Sequence, residues 1–320
     1  MISIVCPFFN EGPAVGLFMA RVIPIMKSLD EPFEIVCIND GSTDRTLTEL
    51  LAAQRECPQV CVVDLSRNFG KEAAMSAGID HARGEAVIII DADLQDPPEL
   101  IPTLVDRWRG GYEVVLARRS DRSSDGLMKR STARLFYRLH NSIADYPIPE
   151  DIGDFRLMDR AVVEALKQLP ERRRFMKGLF AWVGFRTITV DYVRAARSAG
   201  TTKFSAWKLW NFALEGITAF STMPLRLWTY LGIVIAMLSL CYGSAIVVRT
   251  LIFGIDVPGY ASLLTAILFL GGVQLIGLGV LGEYIGRIYV ETKQRPVYIV
   301  RACDRGADPA ASRTTSLDQV

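Results

Sequence analysis

Two aspartates separated by one residue, Asp91 and Asp93, follow an apolar run from Ala86 to Ile90. At the exit of a buried strand both carboxylates can face one cavity, and bringing them together without a cation raises a carboxyl pKa. A hard divalent ion removes that repulsion, and Gln95 adds a neutral oxygen. With two histidines in the chain, Mg2+ or Mn2+ suits this ligand set better than zinc. A third carboxylate, Asp40, precedes Gly41 and can accept hydrogen bonds from a ribose or a base, while Ser42 to Asp44 can cap a helix. Basic residues complement these acids: Arg118, Arg119, Arg122, Lys129, Arg130, Arg134 and Arg138, then Arg172 to Arg174 with Lys177, then Arg194, Arg197 and Lys203. A metal with guanidinium and ammonium groups is what a phosphate-rich ligand requires. A solvated helix face is the competing explanation for Arg138 and for Arg172 to Arg174, and anionic lipid headgroups are another candidate partner.

The elements that position these residues alternate. Ile2 to Cys6, Phe33 to Ile38, Val60 to Leu65, Ala86 to Ile90 and Glu113 to Ala117 read as buried strands. Between them, Val15 to Leu29, Asp44 to Arg55, Gly70 to Ala82 and Pro98 to Trp108 have amphipathic helical spacing. The pattern predicts an α/β fold, a Rossmann-like and mostly parallel sheet with helices on both faces. Ligands gather beyond the carboxyl ends of such strands, where Pro7, Asn10, Glu11, Asp40, Asp91 and Asp93 fall. No Gly-x-Gly-x-x-Gly or Walker loop is present, which argues against a dinucleotide or P-loop site.

Composition locates the rest. The 320 residues carry 36 Lys plus Arg against 35 Asp plus Glu, a formal charge of +1 that argues against nucleic acid as a partner. A mean hydropathy of +0.23 is high for a chain with 22% charged residues. The apolar excess lies near the C-terminus, where Leu227 to Val248 and Val257 to Gly282 contain no charged side chain. Each run reaches the roughly 20 residues that a helix needs to cross a bilayer. Two spans joined by a short connector are expected, with Arg226, Arg287, Lys293, Arg295 and Arg301 outweighing Arg249 and placing the N-terminal part in the cytoplasm. Met1 to Pro7 lacks the basic start of a signal peptide. Trp207, Trp210, Leu214, Ile217 and Phe220 share one helical face, suiting a helix at the membrane surface or packed on the catalytic part. Gly271, Gly272, Gly277, Gly279 and Gly282 permit close helix contact within or between protomers. The six cysteines are read as reduced, buried thiols, and Cys303 to Val320 as a disordered tail. The expected divisions are 1–204 (catalytic), 205–225 (interface helix), 226–284 (membrane hairpin), 285–301 (juxtamembrane) and 302–320 (tail).

Val5-Cys6-Pro7-Phe8-Phe9-Asn10-Glu11, Asn39-Asp40-Gly41-Ser42, Asp91-Ala92-Asp93-Leu94-Gln95-Asp96-Pro97-Pro98 and Gly153-Asp154-Phe155-Arg156 together resemble family 2 glycosyltransferases. Leu65-Ser66-Arg67-Asn68-Phe69-Gly70-Lys71-Glu72, the Phe175 to Gly184 stretch and the paired C-terminal spans resemble, within that family, the polyprenyl-phosphate glycosyltransferases. Bactoprenol glucosyltransferases are nearest, dolichol-phosphate mannose synthases more distant. The resemblance covers about residues 1 to 300 and implies a GT-A fold, inverting transfer from a nucleotide sugar, with UDP-glucose ahead of UDP-N-acetylglucosamine and UDP-galactose, and a polyprenyl phosphate acceptor such as undecaprenyl phosphate. It implies that Pro7, Asn10, Glu11 and Asp40 hold the nucleoside, that Asp91, Asp93 and Gln95 bind the metal, and that Lys203 lies in a loop closing over the diphosphate. It places Arg118, Arg130 and Arg134 near the acceptor phosphate and Asp154 where a base is proposed.

A phosphate monoester has its second pKa near 6 and is already anionic at neutral pH. Such an acceptor scarcely needs a general base, so Asp154 is expected mainly to orient Arg156 or the sugar. A buried ion pair between Asp154 and Arg156 is the structural alternative. The rival functions are a mannose-transferring or glycolipid-forming enzyme of the same fold, and a membrane-anchored nucleotide-binding module without turnover. A channel is disfavoured by spans without intramembrane charge.

Overall fold

The computed structural model describes residues 1–119, 152–172, 174–192, 223–253 and 259–306. Its centre is an eight-stranded sheet of β1 (Ile2–Phe8), β2 (Phe33–Asn39), β3 (Val60–Leu65), β4 (Ala86–Ile89), β5 (Val114–Arg119), β6 (Ile152–Asp159), β7 (Thr187–Tyr192) and β8 (Val300–Arg305), in the order β7-β5-β6-β4-β1-β2-β3-β8. β4, β1, β2 and β3 run parallel, as do β5 and β7, while β6 is antiparallel between β4 and β5.

The helices are α1 (Gly12–Lys27), α2 (Thr46–Glu56), α3 (Lys71–His81), α4 (Ile101–Arg109), α5 (Arg160–Lys167), α6 (Met176–Trp182), α7 (Met223–Phe253) and α8 (Tyr260–Thr292). Alternate side chains of each strand face opposite layers. Ile2, Ile4, Cys6 and Phe8 of β1 pack with Val15, Phe18 and Val22 of α1, Leu50 of α2 and Leu104 of α4. Val5 of the same strand packs with Met75 of α3, Val163 of α5 and Leu179 of α6 on the other side. Strands buried on both faces read as continuous apolar runs, which is why the first five were legible.

The three later strands were not anticipated. β6 carries Asp154 and Arg156 among its apolar residues, and β7 lies at the sheet edge with alternate exposure. β8 corrects the tail: Ala302 to Arg305, expected to be disordered, pair antiparallel with β3. Arg301 contributes to the seam by donating to the Ser66 carbonyl at 2.6 Å, and Gln54 Nε2 donates to the Asp304 carbonyl at 2.7 Å. β3 therefore has its outer backbone groups paired instead of presenting an open edge.

The expected divisions shift accordingly. α7 begins at Met223, inside the segment assigned to an interface helix, and α8 continues past Gly282 to Thr292. Among the described residues one helical stretch, Phe269–Thr292, is long and apolar enough to cross a membrane. The Trp207 to Phe220 face lies outside the described residues. α7 meets α8 where Trp228 covers Gly277; a Cβ there would sit 1.9 Å from the indole nitrogen, whereas Gly271, Gly272, Gly279 and Gly282 face open space. The cysteines are free, but Cys241 and Cys303 are exposed where buried thiols were expected.

Candidate active site

The first two strand exits are tied to each other. Pro7 lies on β1 beyond the last residue that pairs with β4, where its missing N–H leaves no gap in the ladder. Asn10, at φ 54, accepts from the Thr43 N–H at 2.8 Å, and its own N–H donates to Ser42 Oγ at 3.0 Å. Glu11 N donates to Thr46 Oγ1 at 2.9 Å. Ser42 and Thr43 thus hold the neighbouring loop, and Asp44 rather than either of them accepts from the Thr46 N–H at the start of α2.

Asp40 is buried, and its two oxygens accept from the backbone N–H groups of Phe69 and Gly70 at 2.7 and 2.9 Å. Gly41, at φ +61, makes this approach feasible, since a Cβ there would lie 2.3 Å from the Arg67 carbonyl carbon. The same loop is held from its other side, where Ser66 N donates to the Ile299 carbonyl at 2.9 Å. The segment from Ser66 to Gly70 is therefore fixed before it delivers Lys71 as the first residue of α3.

Lys71 organises the third exit. Its ammonium lies 2.7 and 2.8 Å from the two oxygens of Asp91 and 2.6 Å from Asp154 Oδ2. The contact to Asp91 Oδ1 is off the hydrogen-bonding axis, so this buried oxygen is left without a hydrogen bond. Asp93 Oδ1 accepts from the Gln95 N–H at 3.1 Å, and the Gln95 side chain is buried. Asp96, also buried, accepts from the Tyr192 hydroxyl and lies 3.8 Å from the Arg119 guanidinium.

The structure separates the remaining basic residues. Arg118 is exposed and paired with Asp191 of β7 through contacts of 2.6 and 3.0 Å, while Arg119, on the opposite face of β5, approaches Asp96. Arg130, Arg134 and Lys203 lie outside the described residues. Asp154 and Arg156 do not form the side-chain ion pair considered above: Arg156 donates to the backbone carbonyls of Gly153 and Asp154 at 2.9 and 3.4 Å and stacks over Phe180 at 3.9 Å. Arg156 and Lys177 line a cavity of about 170 Å³ whose other walls include Val114, Leu116, Ile152 and Phe180.

The match to known proteins follows this geometry. The family description "Glycosyl transferase family 2" matches residues 3–167, which hold β1 to β6 and every acidic residue of the cluster. The chain belongs to that family. As a family 2 glycosyltransferase it also matches "GtrB C-terminal hairpin" over residues 223–288, the span of α7 and most of α8. It is 56% identical over 305 residues to an SfII prophage-derived bactoprenol glucosyl transferase of Shigella flexneri, covering 95% of this chain and 99% of that one. A prophage bactoprenol glucosyl transferase homolog of Escherichia coli K12 is 56% identical over 94% of this chain and 98% of its own. An uncharacterized glycosyltransferase of Bacillus subtilis is 44% identical over 93% of each. The GT-A-like, mostly parallel fold and the glycosyltransferase class expected from the motifs are thereby established.

The electrostatics of this glycosyltransferase follow from burial and crowding. Burial, then Asp93 and Asp91, push Glu11 up to about 7. Burial raises Asp91 although Lys71 opposes it. Burial would raise Asp154 too, but Lys71 and Lys177 outweigh it and hold the carboxyl below its usual range. Burial, then Asp154, push Glu72 up to about 7, and its Oε2 accepts from the Met176 N–H at 3.0 Å. Burial lowers Arg156 to about 10, with no carboxylate within ion-pair distance among the described residues.

The acidic group fits a divalent cation. Its donors are oxygens, and Asp91 Oδ1 is a buried acceptor that meets the Lys71 ammonium without a hydrogen bond. No three His, Cys, Asp or Glu side chains are grouped to enclose a metal among the described residues. A cation held by one or two carboxylates, with substrate phosphates completing the shell, suits Mg2+ or Mn2+. Lys71 was not singled out as a site residue from the sequence, and Lys177 was named there only among the basic residues suited to a phosphate-rich ligand. A lysine opening a helix, against the helix dipole, was the available signal for Lys71.

Proposed function

We propose that this enzyme transfers glucose from UDP-glucose to the phosphate of a polyprenyl phosphate at the cytoplasmic membrane face, with inversion at the anomeric carbon. The product would be a lipid-linked sugar donor for cell-envelope glycosylation. The observation that carries the reading is the direct join between an apolar helix and the catalytic sheet. α8 exposes Leu263, Ile267, Leu275, Leu278 and Ile288, ends at Thr292, and is followed by β8 in the same sheet as the acidic cluster. Exposed apolar side chains along a helix of this length call for lipid around them. We read α7 and α8 together as a two-span hairpin with the sheet on the cytoplasmic side, as the surplus of basic residues flanking it suggests.

The bactoprenol glucosyl transferase names of the relatives support both the sugar and the acceptor. The cavity beside β6 supports the acceptor as well: two cationic side chains at its lining and apolar walls elsewhere suit a phosphate joined to hydrocarbon. Arg156, buried and with Asp154 and Glu72 acting on it only from beyond ion-pair distance, would gain from an incoming phosphate.

In this reading Asp91 and Asp93, with Gln95 beside them, hold the divalent ion, which when bound neutralises charge on the departing diphosphate. Pro7, Asn10, Glu11 and Asp40 frame the nucleoside end; Asn10 and Asp40 do so by fixing loops. A phosphate oxygen of the acceptor attacks the anomeric carbon as the bond to the diphosphate oxygen breaks, so the electron pair leaves with the diphosphate and no proton must move. Asp154 stays ionised, held by Lys71, and serves as a charged strut rather than as a base. Membranes containing the enzyme, undecaprenyl phosphate and a panel of radiolabelled nucleotide sugars test this. UDP-glucose should label the organic-extractable lipid; label appearing only from GDP-mannose, or no labelled lipid from any donor, would refute it.

A further inference from the structure

We propose that Lys71 is the resident cation of the diphosphate site: its ammonium joins Asp91 to Asp154 before substrate arrives and surrenders Asp91 to the divalent ion that enters with the nucleotide sugar. This rests on the reading that Asp91 is a metal ligand. The ammonium contacts both oxygens of Asp91 and one of Asp154, neutralising one acid just past the end of β4 and one on the adjacent antiparallel β6. Without it, Asp91, Asp93 and Glu11 would be left as a negative cluster at partly buried positions, and Asp154 would keep only the more distant Lys177 and Arg156.

Two features make the contact exchangeable. Lys71 opens α3, where a positive charge opposes the helix dipole, so the local structure gives it no support and the acids must. The backbone beneath it is fixed by Asp40, which accepts from Phe69 and Gly70, leaving the side chain as the movable part. An ammonium and a divalent ion on the same carboxylate repel each other, and that repulsion forces the exchange. Released from Asp91, the ammonium keeps Asp154 and has two donors left for a phosphate oxygen. Lys71 is thus a positioning residue that sets the metal affinity of the empty enzyme.

The test is Mn2+ binding to the full chain in detergent without nucleotide, read from the spectrum of free Mn2+. Lys71→Met should bind Mn2+ about tenfold tighter than wild type, because the competing charge is gone. Adding Asp91→Asn to that variant should abolish the gain. Lys71→Gln, neutral and still hydrogen bonding, gives the same comparison if the methionine variant is unstable. Unchanged or weaker Mn2+ binding in a folded neutral variant, or a gain that survives Asp91→Asn, would overturn the proposal while leaving the metal reading intact. Absence of Mn2+ binding in wild type and variants alike would overturn both.

Discussion

Lys71 Nζ stands 2.6 Å from Asp154 Oδ2, so the acid at the expected position of a catalytic base is paired with a lysine. A base needs a free lone pair facing a proton, and a dianionic phosphate acceptor offers no proton to remove. Asp154→Asn should therefore lower kcat by about 10- to 100-fold by loosening Lys71, while the acidic limb of the pH profile persists. Loss of that limb together with complete loss of turnover would assign Asp154 the base role instead.

Asp91 and Asp93 differ in their surroundings, since Asp91 faces Lys71 and Asp93 accepts only from the nearby Gln95 N–H among the described contacts. Either Asn substitution should cut transfer by about 100-fold or more, and raising Mn2+ should restore part of the rate for whichever carboxylate contributes less. Metal titrations of initial rate on both variants make the comparison.

Glu72 carries a stability prediction. Its folded pKa near 7 lies above the ordinary value of 4.5, so between those values the folded state binds the extra proton and stability falls as pH rises. Glu72→Gln keeps an acceptor for the Met176 N–H and removes the charge. It should raise stability at pH 8 by about 1–2 kcal/mol and flatten the dependence between about pH 5 and 7. Thermal melts across that range would show it; an unchanged slope would contradict it.

Gly277 is where the two long helices touch. Gly277→Ala would place a methyl 1.9 Å from the Trp228 indole nitrogen and should separate α7 from α8, whereas Gly279→Ala, facing open space, should be neutral. Thermal stability in detergent, lowered by about 1–3 kcal/mol for the first and unchanged for the second, is the measure.

The central parallel strands were legible because burial on both faces writes them as apolar runs, and their exits drew attention to Asp40, Asp91 and Asp93. β6 was hidden by its own chemistry: Asp154 and Arg156 interrupt the run that marks a buried strand. β8 was hidden by context, since Val-Arg-Ala-Cys-Asp-Arg becomes a strand only because β3 offers an edge to pair with. Lys71 stood inside a motif that was noticed for its resemblance, yet its partners lie on β4's exit and on β6, and no spacing along the chain joins them. Arg118 illustrates the converse, a residue whose type suited phosphate but whose strand position gives it to Asp191.

The most direct test of the account is the rate at which the full chain in lipid vesicles transfers label from UDP-glucose to undecaprenyl phosphate, measured with Mn2+ and again in excess chelator. The account predicts labelled lipid in the first case and a fall of about 100-fold or more in the second, reversed by adding Mn2+. Transfer at an undiminished rate in chelator would contradict it.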